Sequence, residues 1–68
     1  MERSVFEFGN EYVCRYFFDI DNQYDGVEVS RSGNYLGRIV GVTIPDEEDE
    51  DEVKNFEKEV TDWLVENE

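Results

Sequence analysis

The chain has 68 residues, a formal net charge of −13, one cysteine and no histidine. A chain of this length is expected to form one small domain over residues 1–68, and a single cysteine excludes an internal disulfide. A disulfide-stapled secreted protein is therefore excluded, and a cytoplasmic location is expected, because no stretch reaches the roughly 20 apolar residues of a membrane span.

The charge is unevenly distributed. Residues 46–68 contain twelve acidic residues and two lysines, a net charge of −10, whereas residues 1–45 have a net charge of −3. Nucleic acids and anionic membranes bind cationic surfaces, so we expect neither as a direct ligand. A partner protein with a basic surface is the interaction that this charge favours.

The first half of the chain alternates apolar and polar residues, as β-strands do. A strand is predicted over residues 4–8 and a second over residues 11–20, with a tight turn at Gly9-Asn10 between them. Residues 21–26 are rich in turn-forming residues and separate the second strand from a third.

The third strand is predicted over residues 27–31 and the fourth over residues 35–44, with a tight turn at 32–34. Three hairpin connections in succession predict an antiparallel meander. A bulge at Ile39-Val40 would help such a small sheet to curl over its own apolar face.

A helix is predicted over residues 46–66, after Pro45 ends the fourth strand. Its apolar face is formed by Val53, Phe56, Val60, Trp63 and Leu64. The predicted fold is therefore α+β, a four-stranded antiparallel meander with one C-terminal amphipathic helix packed on one face (ββββα). We expect Trp63 to be at least partly buried against the sheet.

Seven consecutive acidic residues, 46–52, begin the predicted helix. Asp46 or Asp49 can act as the N-cap, and acidic side chains stabilise the positive end of a helix dipole. The pairs Glu50–Lys54 and Lys58–Asp62 have the i, i+4 spacing of helix ion pairs. Seven adjacent carboxylates exceed what capping needs and repel one another, so the run is either a solvated helix start or a surface that meets a positive partner.

We expect no enzymatic activity, catalytic residue, metal site or cofactor. The segment Asp19 to Asp25 begins like a calcium-binding loop, but Tyr24 replaces the glycine at its sixth position and Ser30 replaces the glutamate at its twelfth. Cys14 has no histidine to activate it and is interpreted as a small buried hydrophobic residue.

Both faces of the predicted sheet carry large apolar side chains, and one helix covers only one face. Val13 and Phe17 lie opposite Tyr12, Cys14 and Tyr16 along the second strand. A candidate apolar interface on the uncovered face consists of Val13, Phe17, Tyr35 and Ile39. Such a face predicts a homodimer or contact with another protein.

Two functional hypotheses follow. In the first, the chain is a small acidic inhibitor of the phage or mobile-element type, which presents a nucleic-acid-like negative surface to a basic, nucleic-acid-binding partner. The residues predicted to form this surface are Asp46, Glu47, Glu48, Asp49, Glu50, Asp51, Glu52, Glu57, Glu59 and Asp62. In the second, the chain is an accessory subunit that acts through the apolar sheet face, by dimerisation or by β-augmentation.

The segment Ile44-Pro45-Asp46 and a helix that ends near Trp63-Leu64 follow the predicted meander. This order of elements resembles antitoxin domains of the HicB type. The resemblance covers under half of the chain and includes no diagnostic motif. It implies a basic or RNA-binding toxin as the partner and transfers no residue role.

Overall fold

The computed structural model describes residues 1–67. It contains four antiparallel strands in one sheet, in the order β1-β2-β3-β4, followed by one helix, which confirms the predicted ββββα fold. The elements are β1 (Glu2–Glu7), β2 (Asn10–Asp19), β3 (Tyr24–Arg31), β4 (Asn34–Val40) and α1 (Glu50–Asn67).

Two of the three hairpins have two-residue turns. Glu7 pairs with Asn10, so the first turn consists of Phe8-Gly9 rather than the predicted Gly9-Asn10. Both turn residues have positive φ, 52° at Phe8 and 75° at Gly9. Twin positive φ values match the right-handed twist of the flanking strands, and here the strand pairing imposes them on a phenylalanine, a residue that disfavours this conformation.

The fourth strand is shorter than predicted and the helix begins later. Gly41 has a φ of 84° and donates its N–H to the carbonyl of Asp25, which turns the chain away from β4 after Val40. Residues 41–49, the connecting segment, then lead to α1, which begins at Glu50 and not at residue 46. The apolar Val42 and Ile44, which resembled a continuing strand, instead pack against the core from this segment.

A bulge in β4 decides which residues share a face of the sheet. Ser30 pairs with Tyr35, whereas Val29 pairs with Gly37, so β4 has one extra residue, Leu36, at this point. The bulge lies there and not at Ile39-Val40. It places Tyr35 on the face away from the helix, the open face, while Gly37 and Ile39 lie on the helix-side face.

The core lies between the helix-side face and α1. Its buried members are Val5, Tyr12, Cys14, Val27, Val29, Ile39, Phe56, Val60 and Leu64. The helix contributes Phe56, Val60 and Leu64, as its 3.6-residue periodicity predicts, and Trp63 is half-buried against the core, as expected. Within residues 1–67, the helix lacks the length and apolar character needed to cross a membrane.

Candidate functional site

Hydrogen bonds within the acidic segment, residues 46–52, form the start of the helix. Asp49 is the N-cap. One of its carboxylate oxygens accepts from the backbone N–H groups of Asp51 and Glu52, both at 3.1 Å. Its carbonyl accepts from the N–H of Val53 at 3.0 Å, which is the first helical hydrogen bond. Sequence spacing had left Asp46 and Asp49 as alternatives, and the backbone geometry selects Asp49.

A second turn precedes the cap. The Asp46 carboxylate accepts from the N–H of Glu48 at 3.0 Å, and the Asp46 carbonyl accepts from the N–H of Asp49 at 3.0 Å. The Glu52 carboxylate reaches back to the N–H of Asp46 at 3.2 Å. In a capping box this side chain would bond to the N-cap N–H, and here it closes a wider loop. Asp46, Asp49 and Glu52 therefore serve the local fold.

Glu47 ties the acidic segment to the sheet. Its carboxylate lies 3.6 Å from the guanidinium of Arg3 on β1. The Arg3 side chain is mostly buried and Glu47 is exposed, so the pair is partly screened by solvent. The contact places the acidic segment beside the start of β1.

Three carboxylates of the acidic segment have no such role. The side chains of Glu48, Glu50 and Asp51 are exposed and make no hydrogen bond or ion pair with residues 1–67. They border one shallow, open depression together with Asp46 and Asp49. We call Glu48, Glu50 and Asp51 the free acidic cluster.

The helix beyond the acidic segment is less negative than its start. Lys58 donates to Asp62 at 2.9 Å, and this hydrogen bond raises the pKa of the Lys58 ammonium. The other predicted pair, Glu50–Lys54, forms no ion pair in the part of the chain that the structure describes. Glu59 is exposed and Glu57 is half-buried. The lysines interrupt the acidic stripe, so the dense negative surface is confined to residues 46–52.

The open face of the sheet carries a row of alternating charges that sequence reasoning missed. In the strand register, Glu2 lies opposite Arg15, Arg15 lies opposite Glu28, and Glu28 lies opposite Arg38. The row therefore crosses all four strands. The Arg38 guanidinium lies 3.7 Å from the Glu28 carboxylate and 4.7 Å from the centre of the Phe17 ring. The four side chains are distant in sequence, and only the strand register brings them into line.

The predicted apolar interface is not continuous. Val13 and Phe17 are half-buried on the open face, and Arg38 covers the Phe17 ring. Tyr35 is exposed on the same face. Ile39 is buried in the core on the opposite side of the sheet, because the bulge at Leu36 reverses the alternation between it and Tyr35. Grouping Ile39 with the other three residues was wrong.

The helix-side face is covered only in part. Tyr12 and Cys14 of β2 are buried beneath α1, but Tyr16 and Phe18, which follow them on the same face, are exposed. Ile20 in the next turn is exposed as well. The alternation of β2 placed these residues on one face. No local pattern indicates that the helix leaves Tyr16, Phe18 and Ile20 exposed.

The candidate chemical sites have structural roles. Cys14 is buried, and the loss of solvation raises its pKa to about 11, which disfavours the reactive thiolate. The Asp19 carboxylate accepts hydrogen bonds from Asn22 and Asp21 in the β2–β3 turn, and those from Asn22 are the main cause of its lowered pKa. Among residues 1–67, no group of three or more Cys, Asp or Glu side chains is arranged to hold a metal ion.

Comparison with family models, with curated proteins and with solved structures gave no match to this chain. The resemblance to HicB-type antitoxin domains therefore gains no support from them.

Proposed function

We propose that this chain is a small acidic binding protein that docks its acidic segment, residues 46–52, on a basic surface of another protein. Strongly cationic protein surfaces are typical of nucleic-acid-binding proteins, so the proposed partner belongs to that class. Occupying such a surface would inhibit it. The protein would act as a competitor of nucleic acid and would not bind nucleic acid itself.

The observation that supports this proposal is the free acidic cluster. Capping and the ion pair with Arg3 account for Asp46, Glu47, Asp49 and Glu52. Glu48, Glu50 and Asp51 are exposed and make no side-chain contact within residues 1–67. Glu50 and Asp51 gain from the helix dipole in the first turn of α1, but no cation within the described residues offsets the mutual repulsion of the three carboxylates. A contact with a cationic partner would relieve this repulsion. The relief would favour binding, and the opposite charges would accelerate association.

The distribution of cations adds to this argument. All four arginines lie on the sheet, and Lys54 and Lys58 lie on the helix beyond the acidic segment. Only Arg3 pairs with a residue of the segment within the described part of the chain. The negative charge is therefore densest, and least compensated, in the acidic segment.

The test is a charge-neutralising variant with a matched control. The triple variant Glu48→Gln, Glu50→Gln, Asp51→Asn removes three charges and no side-chain hydrogen bond or ion pair of the described residues. The control variant Glu7→Gln, Glu11→Gln, Glu66→Gln removes three charges elsewhere. We expect tagged protein to capture nucleic-acid-binding proteins from its host's lysate at low salt. We expect that capture to be lost with the triple variant and retained with the control.

An equal loss of capture in both variants would contradict the proposal, because net charge alone would then explain the binding. The accessory-subunit alternative predicts a different result. β1 and β4 are the two edge strands of the sheet, and β-augmentation at either of them would survive both variants. Capture that persists at high salt with the triple variant would therefore favour that alternative.

A further inference from the structure

An exposed apolar patch adjoins the acidic segment on the helix-side face. Phe18, on the helix-side face of β2, is 57% exposed, and Ile20, in the turn that follows β2, is 77% exposed. Tyr16, which precedes Phe18 on the same face, is also exposed, and its N–H donates to the Met1 carbonyl at 2.9 Å. Met1 is 89% exposed. We call Met1, Tyr16, Phe18 and Ile20 the apolar patch.

The connecting segment separates this patch from the core. It leaves the sheet where Gly41 bonds to Asp25 on β3, and it reaches β1 where Glu47 pairs with Arg3. Val42 and Ile44 of this segment pack on the core, so the segment crosses the helix-side face. Phe18 is not among the residues packed on this core, and 57% of it stays exposed beside the helix and the connecting segment.

The patch and the acidic segment share a border. One open cleft is lined by Met1, Glu2 and Ile44 together with Glu47 and Glu48. At the other side of the patch, the Tyr16 hydroxyl donates to the Asp25 carboxylate at 3.1 Å. The patch is thus an apolar centre with a carboxylate rim. A buried apolar centre inside a polar rim is the usual anatomy of a protein interface.

A second copy of the chain is a poor occupant of this surface. Each copy has a net charge of −13, and a dimer through the patch would bring two acidic segments together. Like charges brought together at an interface oppose association. Charge complementarity selects a partner whose contact surface is basic.

We propose that the apolar patch is part of the same docking surface as the acidic segment, and that the partner inserts an aliphatic or aromatic side chain flanked by arginines or lysines. This inference rests on the proposed function and makes it more specific. The carboxylates would steer the partner and set the salt dependence. Phe18 and Ile20 would supply most of the affinity that remains at high salt.

The test uses two synthetic peptides of equal length and charge, one alternating arginine with leucine and the other alternating arginine with serine. Their affinities are measured by calorimetry, and their contacts by amide chemical shifts of the labelled wild-type protein. We expect the arginine–leucine peptide to bind about tenfold more tightly, since burying one large apolar side chain is worth about this factor or more. It should also shift the amides of residues 16–20.

Variants of the patch identify the residues. Phe18→Ser or Ile20→Ser should weaken binding of the arginine–leucine peptide about tenfold and leave the arginine–serine peptide unaffected. Phe6→Ser is the matched control, because Phe6 is 72% exposed on the open face and should affect neither peptide. The chemical shifts are recorded on the wild-type protein, so they test the inference even where a variant fails to fold.

The outcomes separate this inference from the proposed function. Equal affinity for both peptides, lost in the triple variant of the free acidic cluster, would overturn the apolar patch and leave the acidic surface standing. No binding of either peptide at low salt would overturn both. A concentration-dependent dimer that Phe18→Ser abolishes would overturn the inference in favour of a second copy.

Discussion

The indole ring of Trp63 on α1 packs directly over Gly37 on β4. A methyl group added at Gly37 would lie 2.7 Å from the nearest ring carbon of Trp63. The helix therefore approaches the sheet at a position that has no side chain, opposite the buried Val29. This contact packs the helix against β4, the strand that precedes it in the chain before the connecting segment.

We expect Gly37→Ala to destabilise the protein by about 1–3 kcal/mol, because the added methyl group displaces the indole and because the φ of 158° at Gly37 favours glycine. Trp63→Ala removes the ring itself and should cost roughly 3–5 kcal/mol, enough to unfold a domain of this size. Urea denaturation followed by far-UV circular dichroism measures both. Ser30→Ala is the control, because Ser30 lies on the open face, away from Trp63, and its φ is not positive. If Trp63→Ala unfolds at the same urea concentration as the wild type, the Trp63 ring does not pack against the sheet at Gly37.

Variants of the acidic segment distinguish the carboxylate that caps the helix, Asp49, from one whose side chain makes no hydrogen bond, Glu48. Asp49→Ala should cost about 0.5–2 kcal/mol, because the N–H groups of Asp51 and Glu52 lose their acceptor. Asp49→Asn should cost less, since its amide oxygen can still accept. Glu48→Ala removes an equal charge and no hydrogen bond made by its side chain, and we expect it to be neutral or slightly stabilising. Thermal unfolding of the three variants in one buffer makes the comparison, and equal losses for Glu48→Ala and Asp49→Ala would contradict the capping geometry.

Salt should stabilise the folded protein. Repulsion among the seven carboxylates of the acidic segment is screened when the Debye length falls from about 10 Å at 0.1 M salt to about 3 Å at 1 M. We expect the melting temperature to rise with sodium chloride in the wild type and to rise less in the triple variant of the free acidic cluster. Sodium chloride is preferred to sulfate, which stabilises proteins by exclusion from their surface. A flat response in the wild type would mean that the segment is already neutralised.

Phe8 occupies a turn position that suits other residues better. Its φ of 52° is ordinary for asparagine and unfavourable for phenylalanine, and its side chain is exposed. We expect Phe8→Asn to raise the free energy of unfolding by roughly 0.5–1 kcal/mol, the size of typical turn effects. Phe6→Asn on the adjacent strand is the comparison, since it relieves no such strain. A loss of stability in Phe8→Asn would show that the exposed ring contributes more by packing than the backbone loses by strain.

Burial of Cys14 predicts a loss of stability in alkaline solution. Its folded-state pKa of about 11 lies above the ordinary thiol value, so between pH 9 and pH 11 the unfolded chain has lost a proton that the folded chain retains. The unfolded state then binds fewer protons, and stability falls as pH rises. We expect the wild type to lose more stability than Cys14→Ala over this range. Parallel pH profiles of the two proteins would contradict the raised pKa.

Local patterns were sufficient for the elements themselves. The alternation around Val13 and Cys14 predicted a strand, and the spacing of Phe56, Val60 and Leu64 predicted a helix with the correct buried face. Both periods are properties of the backbone and need no knowledge of the partner element. The same local patterns limit the candidates for the N-cap residue of the helix to two, Asp46 and Asp49.

The ends of the elements and the charge row of the open face could not be predicted from local patterns. Val42 and Ile44 have the composition of a strand, but the positive φ at Gly41 removes them from β4. Whether a glycine breaks a strand or continues it depends on its pairing across the sheet. The same is true of the charge row from Glu2 to Arg38, which exists only in the observed register.

The sequence by itself determined the fold class, the helix face and the concentration of negative charge around the start of α1, because composition and periodicity are local quantities. Only the tertiary structure decided which carboxylates are free and which cap the helix. It also decided that Ile39 is core while Tyr35 is surface, through one extra residue at Leu36. A bulge reverses the facing of every residue on one side of it, and strand pairing, a long-range interaction, sets where the bulge falls.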